Sequence, residues 1–231
     1  MKKHSFALQI IIFSIIFLSF ILPPFFITSN NYNQNTFQIW NFPFGQFIRF
    51  ILAIIFFIFF IDEKDSSKKN TPNFRKISFF NFFSTAVFGF SLLFFISLIF
   101  KIISIKNINL SNKIVVERPK DFLQILFAIL TFIFSANFEE IIYRAYFPDA
   151  LLNIFNYEKI ENKAKKNILR IFCEILGILV FAFAHFYAGI LSTINAAFAH
   201  CILRILYIKH KNIIGNITAH SLYNILILFI F

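Results

Sequence analysis

Apolar residues run along this chain in blocks too long for the buried stripe of a soluble helix, and most polar residues fall between the blocks. A block of about 18 or more apolar residues is long enough to cross a hydrocarbon layer about 30 Å thick. Such blocks lie at 6–27, 43–61, 77–100, 122–143, 168–187, 189–208 and 213–231. Because a lipid-exposed backbone must satisfy its own hydrogen bonds, the pattern predicts an all-α, polytopic membrane helical bundle of about seven transmembrane helices. The first block follows Lys2 and Lys3 in the manner of a signal peptide. It is too long for one and no A-x-A-like cleavage site follows, so it is expected to remain as an anchor.

Composition agrees: 58% of residues are hydrophobic, 39 are phenylalanine and 14% are charged, outside the usual soluble range. A net charge of +11 would suit a nucleic-acid binder, but the basic residues cluster between blocks, as the positive-inside rule expects. Membrane lipid, not nucleic acid, is therefore the expected partner. Lys2, Lys3, the 62–76 and 158–170 loops, and Lys209 with Lys211 fall on one side. That predicts an integral protein of the plasma membrane with a cytoplasmic N-terminus. The segment 101–120 breaks the rule, so either the third block is miscounted or this segment lies along the interface. Cys173 and Cys201 stand inside apolar blocks, without disulfide or metal-site spacing, and read as packing residues.

Ionisable residues inside a span cost about 2.5–3.5 kcal/mol each at mid-membrane and usually face water or one another. In FSANFEEIIYRAYFPD, residues 134–149, helical spacing puts Thr131, Ser135, Glu139 and Tyr143 on one stripe, and Ala136, Glu140 and Arg144 on the next. Glu140 can pair with Arg144 one turn later, whereas Glu139 has no such partner. The plainer alternative is that both acids mark a helix leaving the membrane. Further on, Phe181 and His185 stand four apart. Asn212, Asn216, His220 and Asn224 repeat every four residues along the last block. His200 and Arg204 share a face with Thr193 and Ala197, and Arg204 is expected to snorkel to the interface beside Lys209.

The order E-E-x-x-x-R (Glu139, Glu140, Arg144), F-x-x-x-H (Phe181, His185) and H-x-x-x-N (His220, Asn224) resembles the signature motifs of the CPBP intramembrane proteases. That family includes CAAX prenyl endopeptidases and bacteriocin-processing or self-immunity proteins. The resemblance covers about residues 120–231. It divides the chain into N-terminal spans, 1–120, and a catalytic helical core, 121–231, within one membrane domain. It implies a glutamate-type endopeptidase working near the cytoplasmic face on a peptide or protein substrate, without a cofactor. Glu139 would be the general base with His185 assisting, His220 and Asn224 the oxyanion hole, and Glu140 and Arg144 supporting residues. Zinc held by Glu139, His185 and His220 is a chemically adequate alternative. A proton- or ion-coupled transporter and a catalytically silent membrane regulatory or binding protein are the competing classes. Small residues would be expected where His200 and Arg204 stand.

Depth raises a difficulty. The flanking charges put Glu139 near the cytoplasmic end of its span and His185 near the opposite end of the next. A catalytic pairing then demands either a broken or re-entrant helix around 138–157, where Pro148 and Asp149 interrupt the pattern, or a fifth helix that starts well outside the bilayer.

Overall fold

The longest helical run in the molecule begins where Asp121 accepts a hydrogen bond from the Gln124 N–H while the Gln124 side chain takes the Lys120 N–H. This reciprocal cap satisfies two of the donors that a helix start leaves open. From it α4 (Phe122–Glu139) continues without a break through a π-helical segment (Glu140–Tyr146) into α5 (Phe147–Ile154). The computed structural model describes residues 6–26, 36–37, 42–67, 79–106, 115–116 and 118–230. The other helices are α1 (Phe6–Ile16), α2 (Phe44–Ser67), α3 (Phe79–Lys106), α6 (Lys163–Phe183), α7 (Ile190–His210) and α8 (Ile213–Ile230). Thr36–Phe37 and Val115–Val116 form a two-residue parallel ladder. The architecture is thus the expected polytopic helical bundle. Among the described residues five helical runs are long and apolar enough to cross a membrane, against the seven expected: α2 has a shorter apolar stretch, Phe44–Ile58, and α6 is not one of the five.

Several span boundaries move, and two of the shifts bear on the site and the charge pattern. The fourth span is a 33-residue run, Phe122–Ile154, not 122–143. At 1.5 Å per residue it is about 50 Å long, more than the hydrocarbon layer. Glu139 therefore stands mid-run, with the seven-residue π segment and eight residues of α5 still to follow. The depth difficulty dissolves, because Glu139 is not at a helix end. Pro148 does not break the run either. It sits in the first turn of α5, where its missing N–H is tolerated. The third span extends to Lys106, so Lys101 lies within a helix. Lys2, Lys3, Lys68, Lys69, Arg75, Lys76 and Lys113, which carry part of the charge argument, lie outside the described residues.

The π segment is the centre of the core. Ile141, Ile142, Tyr143, Ala145, Tyr146 and Phe147 are all buried, packed with Ile16 and Ile21 of the first span and with Cys173 and Phe181 of α6. The α8 helix lies between α3 and α4 and is reached from α7 by a short turn through Lys211, at φ 52°, and Asn212. The Asn212 side chain then caps α8 by accepting the Gly215 N–H at 2.9 Å. Against α3 the approach is close. A Cβ at Gly215 would stand 2.8 Å from Thr85 Cβ, and one at Gly89 2.9 Å from Ala219 Cβ. Small residues at such crossings let membrane helices gain van der Waals contact where no hydrophobic drive exists. Cys173 is buried, and both cysteines are free.

Candidate active site

Glu140 has a fully buried side chain, and every group around it is complementary to a carboxylate. Its Oε1 is 2.8 Å from His220 Nδ1 and 3.4 Å from an Arg144 guanidinium nitrogen. Its Oε2 takes the Asn216 side-chain amide at 3.3 Å, while the same amide donates to the Leu203 carbonyl at 2.7 Å. One acid thus ties the π segment to α8, and through Asn216 to α7. Such a buried carboxylate is tolerated because its charge is paired and its lone pairs are taken.

Glu139, one residue earlier, has a different setting. Its side chain retains 21% exposure against none for Glu140. Its Oε2 is 3.9 Å from His220 Nε2 and 3.9 Å from Arg144, beyond direct hydrogen bonding in both directions. The spacing argument left Glu139 without a partner, and Arg144 in fact stands between the two acids. His220 is bracketed as well, with Nδ1 on Glu140 and Nε2 turned towards Glu139. With Glu140 ionised, Nδ1 carries a proton and donates it, which fixes the ring's orientation.

The second motif reaches the same place from α6. Phe181 stacks beneath the Arg144 guanidinium, 3.8 Å from carbon to ring centroid, a cation–π contact that helps hold a desolvated cation. The same ring meets Tyr143 at 5.2 Å and His185 at 4.6 Å. His185 stands two residues beyond the end of α6, and its Nδ1 donates to the Phe181 carbonyl at 2.9 Å when the ring is neutral. That tautomer leaves Nε2 as an acceptor. His185 also lies within electrostatic range of Glu139, Arg144 and His220. Asn224 stands one turn beyond His220 on α8, half-buried, with no hydrogen bond to another described residue. Among the described residues no three His, Cys, Asp or Glu side chains are grouped as a metal ion would require.

With this geometry in view, the comparisons with known proteins can be stated. The model of the Rce1-like family, described as type II CAAX prenyl endopeptidase Rce1-like, matches residues 121–226. The match covers 106 of the chain's 231 residues, and over that stretch the chain is similar to the family. No curated protein and no solved structure matched the chain. The Rce1-like region opens at the cap of α4 and contains Glu139, Glu140, Arg144, Phe181, His185, His220 and Asn224. The family is one of endopeptidases, in keeping with the resemblance carried by the motifs.

Within the Rce1-like region, two placements depart from expectation. Arg204 does not snorkel. It is buried and turned inward, holding both oxygens of Glu174 at 2.8 and 2.7 Å and Asp149 at 3.2 Å. His200 is fully buried beside Phe181, 5.4 Å between centroids. Asn216 is the contributor that motif spacing did not single out. Its signal was its place one turn before His220 on the polar face of α8.

Proposed function

We propose that the chain is a membrane-embedded endopeptidase in which Glu139 activates the hydrolytic water. The observation that carries this reading is the division between the two neighbouring acids. Glu140 is buried and fully engaged in holding His220 and Arg144, whereas Glu139 keeps an exposed edge and faces His220 Nε2 across 3.9 Å. A gap of that size is one that a single water can span. Peptide hydrolysis needs a proton acceptor for that water, a donor set for the tetrahedral oxyanion and a proton for the leaving amine. Glu139 takes the water proton as the oxygen attacks the scissile carbonyl. The developing oxyanion accepts hydrogen bonds from His220 Nε2, when that atom carries a proton, and from the Asn224 amide. Glu139 then returns its proton to the departing amine. His185, with Nε2 free to accept, assists the deprotonation of water.

The family's description supports a peptide carried at the membrane, the C-terminal tail of a prenylated protein being the first candidate. The expected side of cleavage is the cytoplasmic face. The test uses the purified chain in lipid vesicles with a farnesylated C-terminal peptide and its unfarnesylated counterpart. The wild type should cut at least the farnesylated peptide. Glu139→Gln keeps volume, removes the proton acceptor and should abolish cleavage with membrane abundance unchanged. Cleavage by Glu139→Gln at the wild-type rate would overturn the mechanism. Cleavage should also survive strong chelation, and full loss restored by zinc alone would move Glu139, His185 and His220 from acid–base roles to ligands.

A further inference from the structure

The π segment that bears Glu140 and Arg144 ends against a proline, which removes one backbone donor at the junction between π and α geometry. In a regular α-helix the N–H of residue 148 would bond the carbonyl of residue 144. Residue 148 is Pro148, which has no N–H. The Phe147 N–H is committed to the π bond with the Ile142 carbonyl. The Arg144 carbonyl instead takes a hydrogen bond from the Arg204 guanidinium, reaching across from α7. Arg204 is itself fixed by a two-pronged grip on Glu174 of α6 and by Asp149 of α5. Its planar fork grips a carboxylate with two parallel bonds and still offers an N–H to a carbonyl, a geometry that the compact head of lysine does not reproduce.

We propose that Arg204 is a positioning residue for the active site: it supplies the donor that Pro148 lacks and so holds the π register from which Glu139, Glu140 and Arg144 project. This rests on the endopeptidase reading for its catalytic consequence, though not for its structural one. A π turn holds about one residue more than an α turn. Collapse of the segment into α geometry would rotate Glu139 by about 100° relative to α5. Glu139 would then swing away from His220 Nε2. Arg204 touches neither acid, so its effect passes through the backbone alone.

The test compares Arg204→Met, Arg204→Lys and the double variant Arg204→Met with Pro148→Ala in the full chain, purified in lipid. Two readouts are taken, amide hydrogen exchange over residues 140–147 and cleavage of the farnesylated peptide. Arg204→Met should speed exchange in that segment by about 10-fold or more, as expected for loss of a charge-assisted hydrogen bond to a buried acceptor. It should lower kcat by a similar factor with KM unchanged. Arg204→Lys keeps the positive charge between Glu174 and Asp149, so the fold persists, but its compact head replaces the fork and exchange should still rise. Pro148→Ala restores an N–H where the Arg144 carbonyl needs one, so the double variant should recover part of both losses. Unchanged exchange over 140–147 in Arg204→Met, or no recovery on adding Pro148→Ala, would overturn the proposal. A wild type that cuts neither peptide would overturn the endopeptidase reading, and the exchange data would still decide whether Arg204 holds the segment.

Discussion

The membrane-crossing helices before residue 121 are more apolar than those after it, yet they are the less buried of the two sets. In α3 the membrane-crossing window has a mean hydropathy of 2.4 and only 17% of it is buried, against 1.8 and 39% for the run that carries Glu139. The more hydrophobic helix is the less buried one. In lipid the surrounding hydrocarbon is as apolar as a leucine, so hydrophobicity does not mark the interior. What marks it is polarity that must be paired, as at Glu140, Arg144, Arg204, Asn216 and His220, and small residues where helices touch. The difference teaches that the helices before residue 121 are mostly exposed outside the bundle, and that the paired charges on which the proposed chemistry would depend are gathered after it.

The sharpest way to test that contrast is to remove one charge from the core. Glu140→Gln would leave Arg144 buried with its neighbour uncharged and would weaken the grip on His220 Nδ1. Breaking a buried pair from one side costs about 3–5 kcal/mol. Membrane abundance and thermal stability should both fall heavily, unlike Glu139→Gln, whose side chain keeps an open edge. Equal loss of abundance in the two variants would mean that both acids are structural and would end the division of roles.

Asn224→Ala should come next, acting on turnover and not on folding. Loss of one oxyanion donor lowers kcat by about 100- to 1000-fold, with abundance intact because Asn224 bonds no other described residue. Cleavage at the wild-type rate would remove Asn224 from the site.

How much of this was legible beforehand follows the range of each interaction. The Glu140–Arg144 pair was readable because both ends lie on one helix, four residues apart, and the apolar blocks gave the helices nearly in place. The π segment was not readable. Residues 141–147 form a continuous apolar and aromatic stretch around Arg144, and nothing local separates a π turn from an α turn there. The depth argument failed because it ended the fourth block at residue 143, whereas the run continues to Ile154 past Asp149, which is paired with Arg204. Arg204 was misread because its partners, Glu174 and Asp149, come from other helices. The Asn216–Glu140 contact spans 76 residues and leaves no trace in local spacing.

The smallest expected effect tests whether α3 is merely a wall. Gly215 on α8 and Gly45 on α2 are both helical glycines, so an alanine at either should gain about 0.5–1 kcal/mol of helix propensity. Their surroundings differ. A Cβ at Gly45 meets nothing within 4 Å, whereas one at Gly215 meets Thr85 Cβ at 2.8 Å and the Phe82 carbonyl oxygen at 3.2 Å. Thr85 Cβ and a backbone oxygen cannot swing aside as a side-chain tip can, so α8 and α3 must separate by a few tenths of an ångström. Overpacking of this kind costs about 1–3 kcal/mol and outweighs the propensity gain. Gly215→Ala should therefore melt lower than wild type in detergent, and it should slow cleavage, because the displaced helix carries His220 and Asn224. Gly45→Ala should melt at or slightly above the wild-type temperature with unaltered cleavage. If Gly215→Ala proved as harmless as Gly45→Ala, the α3–α8 seam would be loose, and α3 would have no part in holding the site.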